Sequence, residues 1–195
     1  MFEQLMNLVK ENAGEAIINN PAIPNEKNDE AVQTTASSIM DSLKGMLSSG
    51  KANDVLSMFS QQPEGNAVAN SPVAAAASSN LISTLMSKFG IDSNQASGIA
   101  SKLIPNVMNQ FVNKTNDPND NSFDIQGIFN SLSGNKTSGL DISSMVSKFG
   151  GNALDKNHDG KVDFSDLTAA FSGGKAEGGE GGGGLMDKIS GLFGK

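Results

Sequence analysis

Apolar residues in this chain recur at i, i+3, i+4 and i+7, segment after segment, with no period-two alternation to compete. That spacing lays a hydrophobic stripe along one face of a helix and restricts the chain to an all-α fold. The clearest stripes are Ile125, Ile128, Phe129, Leu132 and Ile142, Met145, Val146, Phe149, each preceded by an aspartate, Asp124 or Asp141, that can cap it. Leu81, Ile82, Leu85, Met86 and Phe89 form the same stripe in a longer helix opening at Ser71 with Pro72 in its first position and closing at Gly90.

Upstream, Val32, Ile39, Leu43, Met46 and Leu47 predict a helix over about 28–49, and a short one covers 55–59. The segment 20–25, NPAIPN, predicts a rigid extended turn. From Asp92 a further helix runs through Ile99, Leu103, Val107 and Phe111, and Pro105 is expected to kink or split it. The polar stretch 114–124 contains Asp117, Asp120 and Asp124 at spacings that fit no calcium loop. It reads as a turn bent by Pro118 and leading to a capping Ser122 or Asp124.

A different signal begins at Asp155. The run DKNHDGKVDFSD, residues 155–166, places oxygen ligands in the order a twelve-residue EF-hand calcium loop uses. Asp155 takes position 1, Asn157 position 3, Asp159 position 5, the Lys161 carbonyl position 7, Asp163 position 9 and Asp166 position 12. Gly160 stands at position 6, where the chain turns sharply, and Val162 at position 8 is the residue such loops point inward. Turn chemistry alone, which also favours Asp, Asn and Gly, does not require six ordered matches.

Asp166 is shorter than the usual Glu, so it reaches the ion only if the exit helix moves closer. With four carboxylates set against Lys156 and Lys161 the expected dissociation constant is roughly 10⁻⁵ to 10⁻³ M for Ca²⁺. The compact position 12 makes Mg²⁺ the main rival. A metal that staples the fold is preferred here to a signalling one, because binding and ordering are coupled. His158, the sole histidine, occupies a non-ligand position that faces outward.

Composition narrows the function. Net charge is −7, all 14 basic residues are lysine, and Trp and Tyr are absent, so the chain lacks both the forks and the stacking platforms of a nucleic-acid binder. Without cysteine, and with no second histidine to activate a serine, the common nucleophiles are missing, and no catalytic residue or enzyme activity is expected. The N-terminal MFEQLMNLVKEN has no signal-type apolar run, and no stretch is long enough to span a membrane. A cytoplasmic location is the expectation.

The length and apolar fraction suggest one domain with a modest core plus tails. The division expected is a helical body over 1–150, the calcium loop and exit helix over 151–172, a Gly-rich linker over 173–184, and a short amphipathic tail helix over 185–195. In the tail Leu185, Ile189, Leu192 and Phe193 share a face opposite Asp187, Lys188 and Ser190. It carries too little basic charge for more than weak membrane contact.

Two resemblances follow from these motifs. Residues 155–171 resemble the dockerin-type half of an EF-hand, in which Asp holds position 12 and a helix follows, here with Phe164, Leu167 and Phe171 on one face. A dockerin has two such loops and this chain one, which argues against cohesin-type docking. The run FGIDSNQASGIASKLIPNVMNQF, residues 89–111, resembles a bacterial family of small helical proteins of the YidB-like kind, a domain of unknown function, through Phe-Gly, Ile-Asp-x-x-x-Ala and Leu103-Ile104-Pro105. That likeness extends over about 81–134 and implies a helical fold and a bacterial source, with no activity attached.

The function expected is therefore a calcium-binding, non-enzymatic bacterial protein with a structural or interaction role, the metal ordering the C-terminal segment. The alternative is an envelope or membrane-surface module that uses the tethered tail. Because calcium loops usually act in pairs, a homodimer joining two Val162 strands is the partner expected besides the ion.

Overall fold

A computed structural model describes residues 1–60, 67–135, 137–139 and 141–149. All regular structure among them is helical, as the stripes predict. Seven α-helices follow in order: α1 Phe2–Asn12, α2 Asn28–Ser48, α3 Ala52–Ser60, α4 Pro72–Phe89, α5 Ser93–Asn116, α6 Ile125–Leu132 and α7 Ile142–Phe149.

Capping chemistry sets most boundaries. Ser71 Oγ accepts the Ala74 N–H at 3.1 Å to start α4, and Gly90 ends it at φ 67°, a conformation that costs a glycine nothing. Asp92 and Gln95 form a reciprocal box: the Asp92 carboxylate accepts from Gln95 N–H at 2.9 Å, while the Gln95 amide oxygen accepts from Asp92 N–H at 3.3 Å. Asp124 accepts from Gly127 N–H at 2.6 Å and Asp141 from Ser144 N–H at 2.9 Å, starting α6 and α7.

The connection from α1 to α2 is a widened turn over Gly14–Ile18. There Ile18 N–H bonds to Ala13 O and Asn19 N–H to Gly14 O, each five residues back. The extra residue buries Ile17 and leaves Ile18 outward. Asn20 then closes the segment, its Nδ2 donating to Ala16 O and its Oδ1 accepting from Ala22 N–H, so residues 20–25 form a hydrogen-bonded turn and not a fully extended one.

α2 lies at the centre and packs most closely on α4, which packs in turn on α5. Small side chains allow the approach: Ala31 and Ala36 of α2, and Ala74 and Ala77 of α4, are almost fully buried. The buried hydroxyls of Thr35, Ser38 and Ser42 donate to the carbonyls four residues earlier, and Asn80 of α4 adds a bond across the seam, its Nδ2 donating to Ser38 O at 3.4 Å. α1 is tied to α5 by a paired amide contact, Asn12 to Gln110, with bonds of 3.2 and 2.9 Å.

α5 is one helix of 24 residues, so of the two outcomes expected at Pro105, a kink or a split, the split does not occur. Leu103 and Ile104 before the proline, and Val107 and Met108 after it, are all buried. Their packing holds both halves in register, and the proline then removes a single backbone bond.

Among the described residues, buried side chains from Leu5 to Val146 form one cluster. Part of it is aromatic. Phe111 lies edge-on to Phe59 at 5.4 Å and to Phe123 at 4.9 Å, and Phe59 meets Phe129 at 6.3 Å. These rings join α3, α5, α6 and the loop before α6.

Candidate metal centre and the acidic cleft

The six expected calcium ligands, Asp155, Asn157, Asp159, Lys161, Asp163 and Asp166, lie outside the described residues, as do the exit helix and the tail. The body reaches toward that loop through α7. α7 packs on α3 and α6, and its start is fixed by Gln126, whose Oε1 accepts the Ile142 N–H at 3.0 Å. Gln126 Nε2 donates to Thr137 O at 3.3 Å, so one side chain fastens both ends of the turn between α6 and α7. Within that turn Asn135 has φ 66°, the left-handed geometry that Asn tolerates better than other side chains.

The other acidic segment, residues 117–124, spends its carboxylates on its own backbone. Asp120 N–H bonds Asp117 O at 3.1 Å across a turn with Pro118 at its second position. Asp117 Oδ1 accepts Asn119 N–H at 2.9 Å, and Asp120 Oδ1 accepts Ser122 N–H at 2.8 Å. Asp124, not Ser122, caps α6. Among the described residues no group of three or more Asp, Glu, His or Cys is arranged to hold a metal ion.

Lys114, in the last turn of α5, reaches back over this loop and bonds Asp120 Oδ2 at 3.1 Å, a contact with no signature in the sequence. Ser122 and Lys114 together hold the Asp120 carboxyl at about 2, below the usual 3.8, while Asp120 raises the lysine. Because the folded value is depressed, this contribution is complete above the unfolded value and disappears as pH falls through the folded one. The Lys114–Asp120 contact is thus expected to open between about pH 4 and pH 2. NMR titration of the Asp120 carboxyl carbon checks it; a midpoint at the usual aspartate value would show that the pair is not held in solution.

The end of α5, this loop, the start of α6 and one side of α7 enclose an open cleft of about 560 Å³. The nearly buried Phe123 and Val146 and the partly buried Ile125 form its floor, and Asp117, Asp120 and Asp124 lie along it. A second depression of about 460 Å³ lies over residues 18–25 and is lined by Asn19, Asn20 and Asn25 with Ile18 and Ile23. No described helix is long and apolar enough to cross a membrane.

No family model, curated protein or solved structure matches the chain.

Proposed function

We propose that this is a non-enzymatic calcium-binding protein in which a helical body carries a single EF-hand-type loop, and that calcium orders the segment C-terminal to α7. The observation that carries the reading is the placement of Asp155, Asn157, Asp159, Lys161, Asp163 and Asp166 at six successive ligand positions, with Gly160 at the turn. The body supports it as a mounting. α7 is anchored at its start by Gln126 and packs on two other helices, so an ion bound a few residues beyond Phe149 would fix the following segment against a stable base.

The role that follows is structural or one of interaction, with a partner or a second copy engaging the ordered segment, and Mg²⁺ is the competing ion. The family reading over 81–134 and a cytoplasmic location belong to the same proposal. A calorimetric Ca²⁺ titration of the full chain, with Mg²⁺ as competitor and Asp155→Ala as control, tests it. Saturable binding in the range of roughly 10⁻⁵ to 10⁻³ M, lost in the variant, is expected. Absence of calcium heat at millimolar metal would remove the reading.

A further inference from the structure

We infer that α7 is a clasp that lifts off the helical body as a unit, turning about Gly139 and held shut by Gln126, while α1 to α6 stay folded. Two kinds of contact tie α7 to the body. Ile142 and Val146 are buried, and the helix packs on α3 and, less closely, on α6. The polar tie is the bond from Ile142 N–H to Gln126 Oε1 at 3.0 Å.

The hydrogen bonds of the joint divide into a part that stays and a part that leaves. Thr137 is fully buried; its hydroxyl donates to Asn130 Oδ1 at 2.8 Å and lies 3.0 Å from Ser133 Oγ, and its N–H donates to Ser133 Oγ at 3.2 Å. These partners belong to α6 and its C-cap, so the turn is fastened to α6 as far as Thr137. α7 carries its own cap. Asp141 accepts from Ser144 N–H at 2.9 Å and from the Ser144 hydroxyl at 2.6 Å, and both groups move with the helix. Gln126 bridges the two parts, donating to Thr137 O at 3.3 Å on the fixed side and accepting from Ile142 N–H on the moving one. Between them stands Gly139, with open space where a side chain would be, so the backbone there is free to turn.

Size and surroundings favour opening as a unit. A helix of eight residues does not hold itself in water, so α7 is helical only while it is docked. Its Ser143 and Val146 border the open cleft of about 560 Å³, which leaves one flank next to solvent. α6 is of the same length but is built into the core, with Ile128, Phe129 and Leu132 buried and Phe129 edge-on to Phe59. α3 has its closest packing with α7, and its Val55, Leu56, Met58 and Phe59 are buried. Lifting α7 therefore bares part of an apolar helix face, and the body has a second conformation whose population Gln126 sets.

The inference does not rest on the calcium reading, and the test is run on the full chain in chelator so that the two stand or fall separately. Amide exchange followed by NMR reports the opening of each helix. In the parent, amides 146–149 are expected to exchange about a hundredfold faster than those at the centres of α2, α4 and α5 after correction for intrinsic rates. Their exchange should also be insensitive to low urea, because a small unit exposes little surface. Gln126→Ala should speed amides 146–149 about tenfold further, the effect of losing one or two hydrogen bonds, and leave α2, α4, α5 and α6 unchanged.

Amides 146–149 that share the protection and urea slope of the central helices would overturn the inference, and so would α6 amides that open together with α7. These two criteria use the parent alone and decide the matter even if the variant does not fold. A folded Gln126→Ala variant that leaves 146–149 unchanged, or that speeds every helix alike, would overturn the assignment of the latch.

Discussion

Replacing Phe111 by alanine is expected to lower the stability of the body by about 3–5 kcal/mol, the usual cost of emptying a buried phenylalanine site. The ring is fully buried and stands at the junction of α3, α5 and the loop before α6. Its neighbours cannot close the gap. Phe59 is fixed on α3, whose last turn is held by Asn116 Nδ2 donating to Phe59 O at 2.8 Å, and Phe123 is fixed by a loop pinned through Asp117, Asp120 and Lys114. Two edge-on ring contacts add about 0.5–1.5 kcal/mol each to what area alone would give. Set against a total of about 5–15 kcal/mol for a domain, the loss is a large share.

Urea midpoints of parent and variant measure it, and a change below about 1 kcal/mol would mean that the cluster repacks freely. The same substitution removes a wall from behind Phe123. Amide exchange over residues 117–123 should therefore rise beyond the global change, and the apolar part of the acidic cleft should loosen with it.

What can be read from the chain without its fold follows the range of the interactions. Ser71-Pro72, Gly90, Asp92, Asp124 and Asp141 are legible as boundaries because a cap is settled within four residues, and each stands where its chemistry predicts. α1 carries the same template in Phe2, Leu5, Met6 and Val9, but Glu3 and Lys10 interrupt the apolar run, so as sequence it speaks first against a signal segment and only second for a helix. The widened turn at Gly14–Ile18 has no local marker, since its backbone bonds five residues apart follow from burying Ile17 against the core.

The candidate sites divide in the same manner. The proposed calcium loop rests on ligand-type residues within one short run, 155–166, which lies outside the described residues. The acidic cleft is invisible in sequence because the loop that holds Asp117 and Phe123 meets Val146 of α7 only through the packing of α7. Periodicity could not reveal the tolerance of Pro105 either, because it depends on the buried neighbours on both sides.

That tolerance yields the second large effect, of opposite sign: Pro105→Ala is expected to stabilise the body by about 1–2 kcal/mol. Proline inside a helix is disfavoured by about 3 kcal/mol relative to alanine, since it offers no N–H to the carbonyl of the residue four back, here Ser101, and its ring crowds that turn. The Ser101 hydroxyl gives no relief, because it donates to Gly98 O at 3.2 Å. Alanine restores the backbone donor in the middle of a 24-residue helix already held on both sides by Leu103, Ile104, Val107 and Met108. Against this gain stand the contacts of a half-buried ring and the stiffness proline lends to the unfolded chain, the latter about 0.4–1 kcal/mol. Thermal midpoints decide the balance, a rise of about 2–4 °C per kcal/mol being the expected scale for a chain of this size. A fall would mean that the ring's contacts outweigh the missing N–H, and that α5 needs a local bend at Leu103-Ile104-Pro105 to meet α4 along one half and α1 along the other.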